Sequence, residues 1–219
     1  MNDVEICNLA LAHLGDTGTI ASIAPPENSI QAMHCARFYP VARDALLEMH
    51  PWSFATRRVA LTPLSVTNAQ WRYVYSKPNL MLRALAVIPP DAWNDYTVPV
   101  MDGEGGVTTP ASGSYVPQPY SLETLSNGEL VICTNVENAV LRYIVAVVDP
   151  TRFSPTFTIC LSWFLASMLA GPIMKGDVGM AEGKRCYQML QVLLTQATSI
   201  DTNQRQVKPV QVVPWLAGR

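Results

Sequence analysis

The chain has 219 residues, enough for one or two domains with a sizeable hydrophobic core. Apolar residues make up 49% of it, but charged residues only 15%, against about 25% in an average soluble protein. Fifteen basic and seventeen acidic residues leave a net charge of -2, which excludes a disordered polyelectrolyte and argues against a DNA reader with a clustered basic surplus.

Asn2 and Glu5 have capping-box spacing, and Cys7, Ala10, Leu11 and Leu14 follow at helical spacing, with Gly15 as a left-handed stop. Beyond Pro25-Pro26, Asn28 and Gln31 repeat the capping signal for a second helix reaching about Met49. Its stripe is Phe38, Val41, Ala42, Ala45, Leu46 and Met49. Pro40 lies inside that helix, cannot donate to the carbonyl of Ala36, and predicts a kink.

From Trp52 to Asp149 the pattern changes to strands, at residues 59–61, 71–75 and 80–88. Asn127-Gly128 between residues 120–125 and 129–133 predicts a hairpin, and 139–148 reads as a continuous apolar strand, hence buried on both faces or central. Between them, eleven of the nineteen residues 101–119 are Gly, Pro, Ser or Thr, and a long flexible loop is expected. It is either a plain insertion or a contact ordered by a partner.

Ser154 as cap and Pro155 at the first position open a third helix, expected to stop or break at Gly171-Pro172. Its apolar residues cover more than one face, which makes it central. It reads as too short and interrupted for a transmembrane helix. A fourth helix runs from about Asp177 to Ser199.

The fold class is therefore α+β. A bundle of about four helices, residues 1–51 and 150–200, flanks an inserted small antiparallel β domain, residues 52–149. Residues 201–219 form an extended C-terminal arm. Its apolar residues Val207, Pro209, Val210, Val212, Val213, Pro214, Trp215 and Leu216 are the candidate partner-binding site, on this chain or on a neighbour.

Chemistry-bearing patterns are sparse. His13, His34 and His50 fall in no metal-binding spacing, and no catalytic or cofactor-binding residue emerges. His34 and Cys35 are adjacent, but neighbours on a helix do not face one another. His13 and His50 read as partners of helix C-terminal dipoles. Five scattered cysteines, Cys7, Cys35, Cys133, Cys160 and Cys186, read as buried free thiols. With no signal peptide in view, a reducing cytosol is expected. Arg57-Arg58 near Trp52 and Trp71 is a basic-aromatic patch or, more simply, a solvated strand edge.

Several segments together resemble phage tail tubular protein A-like head-to-tail adaptors. They are the Asn8-Leu9-Ala10-Leu11-Ala12-His13-Leu14-Gly15 opening with Ile20 and Ile23, and residues 35–47 leading to Pro51-Trp52-Ser53-Phe54-Ala55. Trp71-Arg72-Tyr73-Val74-Tyr75 with Pro78 follows, then Arg142-Tyr143 before Asp149-Pro150-Thr151-Arg152-Phe153, and last a long helix pair. The order of the segments carries the likeness. Two departures stand out: Pro40 replaces an expected acidic residue, and 101–119 is longer than usual.

The resemblance implies a structural virion protein, not an enzyme, assembled in the host cytoplasm without a membrane. It implies a dodecameric ring between the portal and tail nozzle proteins, with tail fibres as further neighbours. Phage DNA would pass through its lumen during ejection without sequence-specific binding. A charge deficit suits heterologous ring contacts, and a near-neutral lumen avoids gripping phosphates. The alternatives are a virion-associated polysaccharide- or peptidoglycan-degrading hydrolase and a monomeric binding module built on residues 71–75.

Overall fold

The computed structural model describes residues 1–90 and 118–204, together with the backbone of residues 100–101 and 107–108. The chain divides into two compact units, residues 1–55 with 146–205 and residues 56–145. The fold is α+β, with four helices and two antiparallel sheets of three strands each.

The helical unit contains α1 (Asp3–His13), α2 (Ile30–Met49), α3 (Pro155–Met174) and α4 (Gly176–Asn203). The Asn2–Glu5 capping box closes the start of α1 in both directions, and Gly15 follows its end at φ +74°. The cap of α2 is Ser29, whose hydroxyl accepts the Ala32 amide, and not Asn28 as the sequence pattern implied. Pro40 lies within α2 without ending it. Ser154 caps α3, with Pro155 in the first position.

Two expectations fail at the end of α3. Gly171-Pro172 neither stops nor breaks it, and α3 is one helix of 20 residues. By length and composition it is apolar enough to span a membrane, yet it packs against α1, α2 and α4, with 56% of its most apolar window buried. Burial on several sides explains an all-round apolar helix. At the end of α4, too, the expectation fails: the arm is expected from residue 201, but Asp201 to Asn203 are the last turn of the helix.

The junction of α3 and α4 is two residues with positive φ, Lys175 at 56° and Gly176 at 56°. The helices then approach closely through small residues. A Cβ on Gly179 would lie 2.8 Å from the Ala170 carbonyl oxygen, and one on Gly183 would lie 3.2 Å from that of Ser167. α4 buries Gly179, Cys186, Leu190, Ala197 and Asp201, spaced alternately by seven and four residues. That is an eleven-residue repeat, one stripe wide.

In the β unit, β1 (Thr56–Ala60), β8 (Val140–Val145) and β3 (Met81–Ile88) form one antiparallel sheet with β8 central. The central place accounts for the nearly continuous apolar run of β8. The second sheet orders β2 (Tyr73–Ser76), β7 (Leu130–Thr134) and β6 (Tyr120–Thr124). Its β6–β7 hairpin turns at Asn127-Gly128, with Gly128 at φ +85° and the Glu129 amide bonded to the Asn127 side chain. Val74, Val131 and Cys133 form its core, covered by Leu64, Trp71 and Leu125. Inside the span expected to be an unpaired loop, β4 (Val100–Met101) pairs with β5 (Val107–Thr108). Residues 102–106 and 109–117 lie outside the described residues.

Gly179→Ala tests the close approach. Forcing a methyl group against the Ala170 carbonyl is expected to destabilise the chain by about 1–3 kcal/mol in urea unfolding. Gly171→Ala has open space around its new Cβ and serves as the neutral control.

Candidate assembly surface of the helical unit

Segments far apart in sequence meet in the helical unit. Pro51-Trp52-Ser53-Phe54-Ala55 leads the chain out of it, and Asp149-Pro150-Thr151-Arg152-Phe153 lies on its return. Between them they build one aromatic cluster. The Phe157 ring meets Trp52 at 5.1 Å, Phe54 at 5.1 Å and Phe153 at 4.9 Å. Edge-on rings at these distances add about 0.5–1.5 kcal/mol per pair beyond area burial. Trp52 is fully buried, and its indole N–H donates to the Leu46 carbonyl at 3.0 Å. It therefore presents no stacking face to a partner, and a basic-aromatic patch that includes Trp52 does not form.

The N-terminal segment is pinned in the same way. The Asn8 side chain accepts the Ile20 amide at 2.8 Å and donates to the Ile20 carbonyl at 3.0 Å, holding the loop after α1. His13 is not simply a partner of its helix dipole. Its ring stacks on Trp163 at 3.8 Å with 9° between planes, and the Arg185 guanidinium sits over Trp163 at 5.6 Å. The Ser162 hydroxyl donates to the Ile159 carbonyl, so His13 Nε2, 3.0 Å away, acts as donor to Ser162 Oγ. Burial, and then the Arg185 charge, lower the His13 pKa and favour the neutral ring.

His50 has a specific partner too. Its Nε2 lies 3.1 Å from Asp201 Oδ2, and both oxygens of Asp201 stand 3.1 Å from the Ser53 amide. Asp201, only 6% exposed, thus ties the last turn of α4 to the 3-10 turn at Ser53–Ala55. Arg43, also mostly buried, donates to both oxygens of the adjacent Asp44 at 2.8 and 3.1 Å.

All five cysteines are free and buried. Cys7 and Cys35 contact each other between α1 and α2, and the Cys35 contact and burial hold the Cys7 thiol protonated. Burial pushes Cys160 up to about 11. Cys35 faces Cys7, while His34 lies beside Phe38, so the adjacent pair His34-Cys35 forms no working couple. No grouping of three or more His, Cys, Asp or Glu side chains able to hold a metal ion occurs among the described residues.

In the β unit, Glu123 accepts from the Trp71 indole N–H at 3.1 Å and from the Asn68 amide at 2.9 Å. Tyr75 is buried and donates to the Val136 carbonyl at 2.7 Å. The aromatic stretch 71–75 is thus largely engaged inside its own unit.

What stays uncovered is the outer side of the α3–α4 hairpin. Neither α3 nor residues 186–200 of α4 contain an Asp, Glu, Lys or Arg. Met189, Val192 and Ile200 of α4 and Ile159 of α3 are large apolar side chains that stay exposed, Val192 by 56% and Ile200 by 50%. A cavity of about 150 Å³ opens here, walled by Ile159 and Cys160 of α3 and Leu193, Ala197 and Ile200 of α4. Among the described residues, Thr156 and Gln196 supply its polar side chains. An amphipathic surface helix ordinarily turns charged residues to water. This one does not.

The sequence-predicted partner residues Val207, Pro209, Val210, Val212, Val213, Pro214, Trp215 and Leu216 lie outside the described residues. The groove that follows from α3 and α4 escaped the pattern reading. The signal for it was the charge-free run from 186 to 200, fifteen residues in an otherwise polar helix. No family model matches the chain, and no curated protein matches it.

Two predictions test these contacts. Asp201→Ala is expected to lower stability by about 2–3 kcal/mol in chemical unfolding, since it leaves the Ser53 amide and His50 without their acceptor. The second concerns pH. The folded His13 pKa lies below the unfolded value, so the unfolded chain binds protons first as the solution is acidified. Stability contributed by His13 is therefore full above about pH 6.5 and is lost as pH falls through the folded pKa. His13→Gln is expected to flatten the fall of Tm between pH 7.5 and 5.5, measured by circular dichroism (the window follows from the ordinary histidine value of about 6.5).

Proposed function

We propose that the protein is a structural component of a tailed-phage virion, a head-to-tail adaptor. It forms a ring between the portal and the tail nozzle and gives DNA an unobstructed passage. The observation that carries this reading is the charge-free stretch of α4, residues 186–200, which leaves Met189, Val192 and Ile200 exposed, together with exposed Ile159 of the charge-free α3. An isolated soluble chain does not gain from leaving isoleucine, valine and methionine side by side in water, whereas a subunit hides them in its neighbour.

Three further features support it. The segments that resemble phage tail tubular protein A-like adaptors follow one another in that family's order from residue 8 to the final helix pair. The net charge of -2 suits a channel that must release DNA, because each lysine or arginine held against phosphate strengthens binding. Residues 209–218 carry no charge and supply an apolar arm for attachment to another subunit. Ring assembly also fits the geometry of a heterologous contact, in which one surface of each copy meets a different surface of the next and rotation closes the circle.

Native mass spectrometry and negative-stain microscopy of the full chain with the portal protein of its phage test the reading. The expected result is a closed ring, of twelve copies on the family analogy, bound to the portal. A chain that stays monomeric beside the portal and is missing from purified virions overturns it.

A further inference from the structure

We propose that the groove between α3 and α4 receives the C-terminal segment, residues 209–216, of a second copy of this chain. The inference rests on the assembly reading above and names the surface that the arm grips.

The chemistry of the two surfaces agrees. The groove is walled by Ile159, Leu193, Ala197 and Ile200 and has no charged lining residue. Residues 209–218 are likewise uncharged, with Val210, Val212, Val213, Trp215 and Leu216 among them. Apolar chain can enter such a groove without stripping water from an ion, which is the main cost of burying charged segments. A volume of about 150 Å³ is the size of a cavity that accepts one aromatic ring, and the arm offers a single indole, Trp215.

Dimensions agree as well. The exposed apolar flank from Met189 to Ile200 is about 16 Å long at 1.5 Å per helical residue. About five extended residues at 3.3 Å each span the same length, which is residues 212–216. Pro209 and Pro214 fix φ near -65° and reduce the entropy lost when the segment is immobilised.

The direction of the chain selects a second copy over the same one. Gln204, after the last turn of α4, is still right-handed helical at φ -71° and ψ -13°, and its amide bonds to the Asp201 and Thr202 carbonyls. Asp201, fastened to Ser53 and His50, fixes that turn. At Gln204 the backbone therefore still follows the helix axis, four residues past Ile200. Folding back would require a reversal within residues 205–208, Arg-Gln-Val-Lys, which contain none of the Gly, Asn, Asp or Ser that tight turns favour. Reaching a neighbour requires no reversal. Exchange of such a terminal segment between identical chains is a low-cost route to association.

The test uses the full chain with Trp215→p-benzoylphenylalanine, mixed one to one as light and heavy nitrogen isotope forms and irradiated. The expected product is a mixed-isotope cross-link from position 215 to a peptide holding Ile159 or residues 189–200. Its yield is expected to fall about tenfold when the chain also carries Ile159→Lys and Ile200→Lys. Both isoleucines are about half exposed, and an unchanged Tm shows that the double variant still folds. A cross-link within one chain, one to any other part of a second chain, or none between copies overturns the proposal. The adaptor reading is scored apart, by ring formation with the portal. Arm exchange without a ring keeps this inference and sinks that reading; a ring with the cross-link elsewhere does the opposite.

Discussion

Close approach of α3 and α4 sets the terms for the rest of the helical unit. With glycine at 179 and 183 facing Ser167 and Ala170, the two backbones meet where larger side chains would hold them apart. The contact is consequently narrow, a seam of small and medium residues one stripe wide. A helix held by so thin a seam buries little of its circumference. The flanks of α4 are left outside, and their composition is then a matter of what surrounds the chain. Charged flanks would mark a helix meant for water. Residues 186–200 are uncharged and leave methionine, valine and isoleucine exposed, and in the adaptor reading proposed above another polypeptide covers them.

The same seam explains why α3 tolerates a proline near its end. Pro172 removes one backbone hydrogen bond from the last turn, a loss of a few kcal/mol in an isolated helix. Here α1, α2 and α4 hold α3 from several sides, and tertiary packing outweighs the local preference. Pro40 lies inside α2 on similar terms, on a helix whose Ala32, Cys35, Tyr39, Ala42, Leu46 and Leu47 are buried. Proline is a reliable helix stop where the helix must stand by itself. It is a weak one in a core.

What could be read from the sequence was local. Asn2, Ser154 with Pro155, and Asn127-Gly128 announce their caps and turn because the donors and acceptors involved lie two or three residues apart. The alternation of helical and strand periodicity likewise gave the α+β class and the central place of residues 140–145. Contacts across the fold were not legible. His50 meets Asp201 at a separation of 151 residues, and His13 finds Ser162 and Trp163 at a similar distance. Nothing in the period or capping of either segment encodes those meetings. The same limit hid the groove, whose two walls are forty residues apart, although the lack of charge in each wall was plain.

The aromatic cluster at Trp52, Phe54, Phe153 and Phe157 shows how the two units can be specified separately. Its rings come from the points where the chain leaves the helical unit and comes back, so the crossing is sealed by the core of one unit alone. The sheets of the β unit, with β8 and β7 at their centres, then need only their own strands to close. Changes in the β unit, including a long insertion such as residues 101–119, therefore need not disturb the seam or the exposed flank of α4. In the ring proposed above, that separation would let the helical unit carry the subunit contact while the β unit meets other neighbours. The charge-free stretch 186–200 lies in the helical unit, on the helix that forms the seam with α3.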